Sequence, residues 1–241
     1  MQRLAWAIVI LLLVLAHPAA AQQLTLDLGD DASLATRSIQ LIALITLLSL
    51  VPGLAVMVTC FPFIVTVLSI LRQAIGLQQS PPNMLIVSLA LFLTWYVMDP
   101  VFTEAWTRGL EPLTTGQTDV QTALPAIIAP FRVFMSARLD PDTFEALRAL
   151  RPGVPAGPIV DAPLSILGPS CLLSEIQRAF EIGFLIFLPF LIIDLVVAAV
   201  LMSMGMMMVP PAIVSMPFKL AFFVVADGWA LISGALVRSY L

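Results

Sequence analysis

The sequence is poor in charged residues and in histidine. Only 11% of its 241 residues are Asp, Glu, Lys or Arg, whereas soluble domains carry about a quarter. His17 is the single histidine and lies in the N-terminal apolar segment, so the commonest general base and metal ligand is almost absent. The net charge of −4 provides no basic surface for phosphate groups. These absences argue against a soluble domain, a histidine-based catalyst and a nucleic-acid-binding protein.

Cysteine is scarce as well, with only Cys60 and Cys171. Neither has a second cysteine or a histidine at a metal-ligand spacing, and neither has a neighbouring base to activate its thiol. We therefore expect both to be small packing residues. No metal site and no cofactor is predicted.

Apolar residues make up 60% of the chain, and the mean hydropathy is +1.04. These values indicate an integral membrane protein. From the segments described below we predict an all-α membrane protein. Its two kinked hydrophobic helical hairpins are separated by a small helical periplasmic domain.

The N-terminus has the three regions of a secretory signal peptide. Arg3 supplies the positive charge, residues 4–16 form an apolar run, and residues 17–21 are mostly small. We predict that residues 1–21 are removed and that residues 22–38 form a periplasmic segment. The alternative is an uncleaved first membrane helix.

Residues 39–98 are predicted to form the first hydrophobic hairpin. The run from Ile39 to Leu71 carries no charge but contains Pro52-Gly53 and Pro62, so a kinked or broken helix is expected. The next run, residues 84–98, is short for a hydrocarbon core of roughly 30 Å. Packing against protein is therefore expected to set these helix lengths.

Residues 99–181 are hydrophilic, with six arginines against ten acidic residues. Asp140 followed by Pro141 predicts a helix start, with Phe144 on the apolar face that follows. Phe134 lies on a similar apolar stripe. The stripes fit the core of a small domain, and the alternative is contact with a neighbouring subunit. Counted from an exported N-terminus, two membrane crossings place this domain in the periplasm.

Residues 182–241 are predicted to form the second hydrophobic hairpin, and they contain Asp194, Lys219 and Asp227. Each charge costs roughly 2.5–3.5 kcal/mol at a bilayer centre. They must therefore face protein, a partner charge or water. Lys219 is the only lysine, and an antiparallel hairpin brings it towards Asp194; Glu175 is the other candidate partner.

The turn of this hairpin is rich in methionine. Gly205 gives the freedom to enter the turn, and Pro210 and Pro211 break the helix. Between them lie Met206, Met207 and Met208. Methionine is flexible and polarizable, so several copies around an axis form a deformable gasket; the alternative is that they fill gaps at a helix bend.

Two blocks of the sequence contain long, ordered motifs. The first contains Leu71-Arg72-Gln73-Ala74-Ile75-Gly76, Pro81-Pro82-Asn83 and Asp99-Pro100. The second contains Ser174-Glu175, Pro189-Phe190-Leu191-Ile192-Ile193-Asp194, residues 205–211, Pro217-Phe218-Lys219 and Asp227-Gly228-Trp229. Together these motifs resemble the FliP family of flagellar biosynthetic proteins. The family usually has an arginine shortly after a serine-phenylalanine pair, where this chain has Cys60-Phe61-Pro62-Phe63, so that arginine's role is not transferred.

The resemblance implies a subunit of the type III secretion export gate, which is a channel and not an enzyme. About five copies form a closed ring with the two other small gate membrane proteins, and flagellar subunits pass through it. The expected location is the bacterial inner membrane, in the flagellar basal body. By resemblance, Glu175 and Lys219 form contacts between subunits, Phe134 and Phe144 are further assembly residues, and a virulence-type homologue is the closest alternative within the family.

Two other functions use the same buried charges. In an intramembrane aspartyl protease, Asp194 and Asp227 would share a proton, but the glycine-x-glycine-aspartate signature of such a protease is absent from the sequence. A proton-coupled carrier would use them as a relay and would work as a monomer or dimer. A charge pair within one subunit, which only orients the hairpin, is the alternative to contact between subunits.

Overall fold

A computed structural model of the chain describes residues 34–77, 81–151, 153, 157–206 and 208–240. The described part is helical throughout and contains no strand, which confirms the all-α prediction. The helices are α1 Leu34–Met57, α2 Phe61–Ile75, α3 Asn83–Ala105, α4 Glu111–Thr114, α5 Val120–Arg138, α6 Pro141–Ala149, α7 Leu164–Ser203, α8 Pro211–Val225 and α9 Gly228–Arg238. A π-helical turn, Trp106–Leu110, joins α3 to α4, and a 3₁₀ turn, Ile159–Asp161, precedes α7.

Three predictions fall on residues outside these ranges. The signal peptide at residues 1–21 lies outside them, as does the periplasmic segment up to residue 33. Met207 also lies outside the described residues.

Four of the described helices are long and apolar enough to cross a membrane. They lie within Ser38–Met57, Asn83–Thr114, Val120–Arg138 and Leu164–Ser203, and α8 with α9 makes a fifth span if this bent pair counts as one. The membrane-embedded class is therefore supported by the helices themselves. Because α7 extends from Leu164 to Ser203 and α3 continues past Asp99, helices cross both predicted boundaries of the hydrophilic domain.

The first uncharged run is broken into two helices. α1 continues through Pro52 and ends at Met57, and α2 begins at Phe61. Pro62 lies in the first turn of α2, where its missing N–H leaves no hydrogen bond unmade. The backbone N–H of Phe61 donates to Oγ1 of Thr59 at 3.3 Å. The break thus comes just before Pro62, as the proline rule predicts.

The chain divides into two units between Leu48 and Ser49. The described part of the first unit is the N-terminal half of α1, and its large apolar side chains are exposed: Ile39, Leu41, Ile42, Leu44, Ile45 and Leu48. This half-helix carries no charge after Arg37. Its surface suits a lipid or protein environment.

The core of the second unit is built around α2. Seven of its side chains are buried: Phe63, Ile64, Val67, Leu68, Leu71, Ala74 and Ile75. α7 lies so close to α2 that a Cβ on Gly183 would be 2.4 Å from Cδ1 of Ile70. A glycine is therefore required there. Because α2 is enclosed by protein, its 15 residues do not have to match the bilayer thickness.

A second core lies in the central segment, between α5, α6 and the start of α7. It contains Met135, Leu139, Phe144, Ala162, Ile166, Leu167 and Cys171. The predicted start of α6 is confirmed, because Asp140 Oδ2 accepts the backbone N–H of Thr143 at 2.9 Å. Cys60 and Cys171 are both buried, as expected of packing residues.

Candidate functional site

The loop between α7 and α8, residues 204–210 and here called the methionine loop, begins with a Schellman cap. Gly205 has a φ of +74°, and its N–H donates to the carbonyl of Met202 at 3.1 Å. The N–H of Met206 donates to the carbonyl of Leu201 at 3.0 Å. This pair of bonds satisfies the last carbonyls of α7 and needs a residue with positive φ. Gly205 thus provides the positive φ at the point where the chain leaves α7.

The loop ends as sharply as it begins. Pro210 has an extended backbone and precedes α8, and Pro211 is the first residue of that helix. The N–H of Ile213 donates to the carbonyl of Pro210 at 3.2 Å. Because neither proline has an N–H to donate, α7 and α8 do not merge into one helix.

The described methionines of the loop are exposed. Met208 shows 98% of its surface and Met206 shows 38%. These side chains do not fill a gap in the core of the chain. None of the described residues covers the apolar side chain of Met208.

Beneath the loop, Lys219 of α8 forms an ion pair with Asp194 of α7. The distance from Nζ to Oδ2 is 2.6 Å, and the side chains are 7% and 32% exposed. Nζ also donates to the carbonyl of Ala74 at 3.1 Å, and the hydroxyl of Ser215 donates to Oδ1 of Asp194 at 2.6 Å. The lysine thus connects α8 to both α7 and α2. Of the two partners considered from the sequence, the structure brings Asp194 to Lys219.

Glu175 lies in a different network, which sequence reasoning missed. Nε of Arg138 donates to Oε1 of Glu175 at 2.9 Å, and the hydroxyl of Tyr240 donates to Oε2. Nη1 of Arg138 donates to the carbonyl of Ser239 at 2.9 Å, and its guanidinium lies 4.0 Å from the centre of the Tyr240 ring. Glu175 is only 2% exposed. This network fastens the C-terminal end of α5 and the residues after α9 to α7.

No sequence pattern pointed to Arg138 or Tyr240, because 37 and 65 residues separate them from Glu175. The structure also shifts the pKa of Tyr240. Burial, with the nearby Glu175 charge as a smaller cause, raises the pKa of Tyr240 well above its usual range. The phenol therefore stays protonated and remains a hydrogen-bond donor to Glu175.

Asp227 is exposed and lies at the bend between α8 and α9, where the helix axes differ by 62°. Its φ is +48°, which is uncommon for a residue with a side chain. Gly228 follows because a Cβ there would lie 2.2 Å from the Phe223 ring. Asp194 bonds to Lys219 and Ser215 and not to Asp227, so the two carboxylates do not form a proton-sharing pair.

The two phenylalanines proposed for assembly occupy different positions. Phe144 is 1% exposed within the second core. Phe134 is partly buried and stacks on Tyr240, with ring centres 6.0 Å apart. Among the described residues, no group of three or more His, Cys, Asp or Glu side chains is placed to hold a metal ion.

Known proteins resemble the chain over nearly its whole length. The model of the FliP family matches residues 44–236. The flagellar biosynthetic protein FliP of Caulobacter vibrioides is 48% identical over 226 residues, which cover 92% of this chain and 85% of the relative. The protein of that name from Agrobacterium fabrum is 48% identical over 95% of this chain and 96% of the relative. The Bacillus subtilis protein of that name is 40% identical over 88% of this chain and 96% of the relative. A match of this extent shows that the chain belongs to the FliP family of flagellar biosynthetic proteins.

Proposed function

We propose that the chain is a pore-forming subunit of the flagellar type III protein export gate. About five copies assemble into a closed ring with the two other small membrane proteins of the gate. Unfolded flagellar subunits pass through this ring. The proposed location is the flagellar basal body in the inner membrane, with residues 99–181 on the periplasmic side.

The exposed methionine loop is the observation that carries this proposal. A loop fixed by a glycine cap at one end and by two prolines at the other presents Met208 with 98% of its surface uncovered. Contiguous exposed apolar patches mark surfaces that bind another molecule, and Met204, Met206, Met208 and Val209 are all exposed in this loop. In a ring, copies of the loop cover one another around the axis. Unbranched methionine side chains then adapt to a passing chain and close behind it.

The buried ion pair holds this loop in place from below. Lys219 and Asp194 lie on the two helices that carry the loop, and the bond to Ala74 fixes both against α2. Removing Lys219 leaves the partly buried Asp194 carboxylate without its cation, which is destabilising. The pair therefore fixes the orientation of the hairpin on which the gasket depends.

Replacing Met206, Met207 and Met208 together by glycine tests the gasket. The variant removes the apolar side chains and keeps the loop length, so we expect the inner membrane of cells expressing it to leak small solutes. A triple leucine variant is the matched control, since it keeps apolar volume and should stay tight. A tight membrane with the glycine variant contradicts the gasket.

Native mass spectrometry of the full chain in mild detergent tests the ring. The mass is measured alone and together with the two gate proteins. We expect a multi-copy species that incorporates both partners. A stable monomer or dimer that ignores them contradicts the gate and favours a proton-coupled carrier, in which Asp194, Lys219 and Asp227 would be the groups to titrate.

A further inference from the structure

A cavity of about 870 Å³ lies between the C-terminal end of α2 and the helices that carry the methionine loop. Arg72 and Gln73 line it from α2, Asp194 from α7, and Lys219 from α8. None of the motifs discussed above assigns a ligand to this space. It opens beside the Lys219 ion pair and not at the loop itself.

The charges around the cavity do not balance. Arg72 and Lys219 are positive, and Asp194 is the one acidic side chain in its lining. Both oxygens of Asp194 are already engaged, one with Ser215 and the other with Lys219. Arg72 donates from Nη1 to Oδ1 of Asn83, and a guanidinium has four further N–H donors. Within the part of the chain that the structure describes, one positive charge without a carboxylate partner and with spare donors therefore faces this space.

The rest of the lining is largely apolar. Leu77, Phe187, Ile213 and Met216 contribute their side chains to the walls. A small hydrated anion gains little from such walls, whereas an amphiphile with a negatively charged head and an apolar tail gains on both parts. Phe187 belongs to α7, which is apolar enough to cross the membrane. The molecules that surround such a helix are phospholipids.

We infer that this cavity binds an anionic phospholipid, with its singly charged phosphate diester against Arg72 and the beginning of an acyl chain along Phe187 and Met216. The net charge of −1 on a lipid without a cationic headgroup matches the single positive charge of the lining that has no carboxylate partner, whereas a zwitterionic lipid brings its own cation. Lys219 stays paired with Asp194 and forms the polar floor of the cavity. The inference depends on embedding in the membrane and stands independently of the export-gate proposal.

The test uses the full chain purified in mild detergent and native mass spectrometry. Phosphatidylglycerol and phosphatidylcholine with identical acyl chains are titrated separately, and inorganic phosphate is added as a competitor in a further series. We expect one phosphatidylglycerol retained per chain in preference to phosphatidylcholine. We expect Arg72→Gln to reduce that retention about fivefold, the effect of one basic residue at an anionic lipid surface.

Arg108→Gln is the matched control. Arg108 is 66% exposed, pairs with Glu104 on its own helical turn and does not line the cavity, so its loss should leave lipid retention unchanged. Helical circular dichroism establishes that both variants are folded. Equal retention of the two lipids overturns the inference, as does an Arg72→Gln variant that binds like the wild type. Displacement of the lipid by inorganic phosphate at a comparable concentration also overturns it, since the site would then be one for a free anion.

Discussion

The described part of the chain contains two buried ion pairs, and they differ in how completely protein encloses them. In the Arg138–Glu175 pair the side chains are 12% and 2% exposed, and Tyr240 occupies the second carboxylate oxygen. In the Lys219–Asp194 pair the lysine is 7% exposed, but the aspartate is 32% exposed and borders a cavity. The first pair is enclosed by protein and joins distant segments of one chain. The second pair is open on one side, so the environment of the membrane or of other subunits acts on the second pair and not on the first.

The largest predicted effect is therefore on the closed pair. Arg138→Met leaves the Glu175 carboxylate buried without its cation, which costs about 3–5 kcal/mol of stability. We expect a large drop in the thermal unfolding midpoint, measured in detergent by circular dichroism. The double variant Arg138→Met with Glu175→Leu removes both charges and should recover most of the loss. A single variant as stable as the wild type would mean that this network does not fasten the chain.

Lys219→Met should have a smaller effect on stability. About a third of Asp194 remains exposed, so water partly replaces the lost cation, and we expect a cost of about 1–3 kcal/mol. The same unfolding measurement applies. A loss equal to or larger than that of Arg138→Met would contradict the contrast between the closed and the open pair.

Charge reversal at the open pair has a separate consequence for assembly. Lys219→Glu places two carboxylates side by side beneath the methionine loop, so we expect the ring to fail to form, measured by native mass. Combining it with Asp194→Lys restores opposite charges and should restore part of the assembly. A ring of normal mass in the single variant would show that the pair is not needed for assembly.

A smaller effect is expected at the entry to the methionine loop. Gly205→Ala places a side chain at a φ of +74°, a conformation that costs roughly 1–2 kcal/mol. Gly53→Ala is the matched control, because Gly53 lies inside α1, is not followed by a proline and has nothing within 4 Å of a new Cβ. Alanine there should be neutral or stabilise by about 0.4–1 kcal/mol. Equal midpoints for the two variants would show that the Schellman cap adds nothing.

The smallest effect concerns the exposed start of α6. The backbone N–H of Thr143, followed by its hydroxyl, lowers the pKa of Asp140 in the folded chain. Because the folded pKa lies below the unfolded one, this contribution is complete above the ordinary value of about 3.9 and is lost as the pH falls below it. Asp140→Asn should remove that acid dependence while keeping a cap. If the stability of Asp140→Asn falls with decreasing pH as it does in the wild type, then other carboxylates cause the acid dependence.

The parts of the fold that were predictable depend on local chemistry. Asp140 followed by Pro141 is a helix start in any context, and Gly205 with Pro210 and Pro211 specifies a turn within a few residues of sequence. The break before Pro62 follows from the same kind of rule. Each of these features is determined by neighbours along the chain, so each was visible without a structure.

The parts that were missed depend on contacts between distant residues. Arg138 meets Ser239 across 101 positions, and Lys219 meets the carbonyl of Ala74 across 145. No periodicity or motif signals such contacts, because packing of the helices alone brings them about. The length of α7 was not visible in the sequence either, because the helix continues across residue 181, where the composition changes from hydrophilic to apolar.

Disulfide crosslinking of Met208→Cys in native membranes tests the central claim most directly. The two native cysteines are buried, so the introduced thiol is the accessible one among the described residues. Leu150→Cys is the control, at a position 79% exposed outside the loop. The account predicts that oxidation joins chains through position 208 into covalent dimers, since each chain carries one accessible thiol, and far less through position 150. Monomers alone at position 208, or equal crosslinking at both positions, would contradict the claim that copies of the methionine loop meet and seal one another.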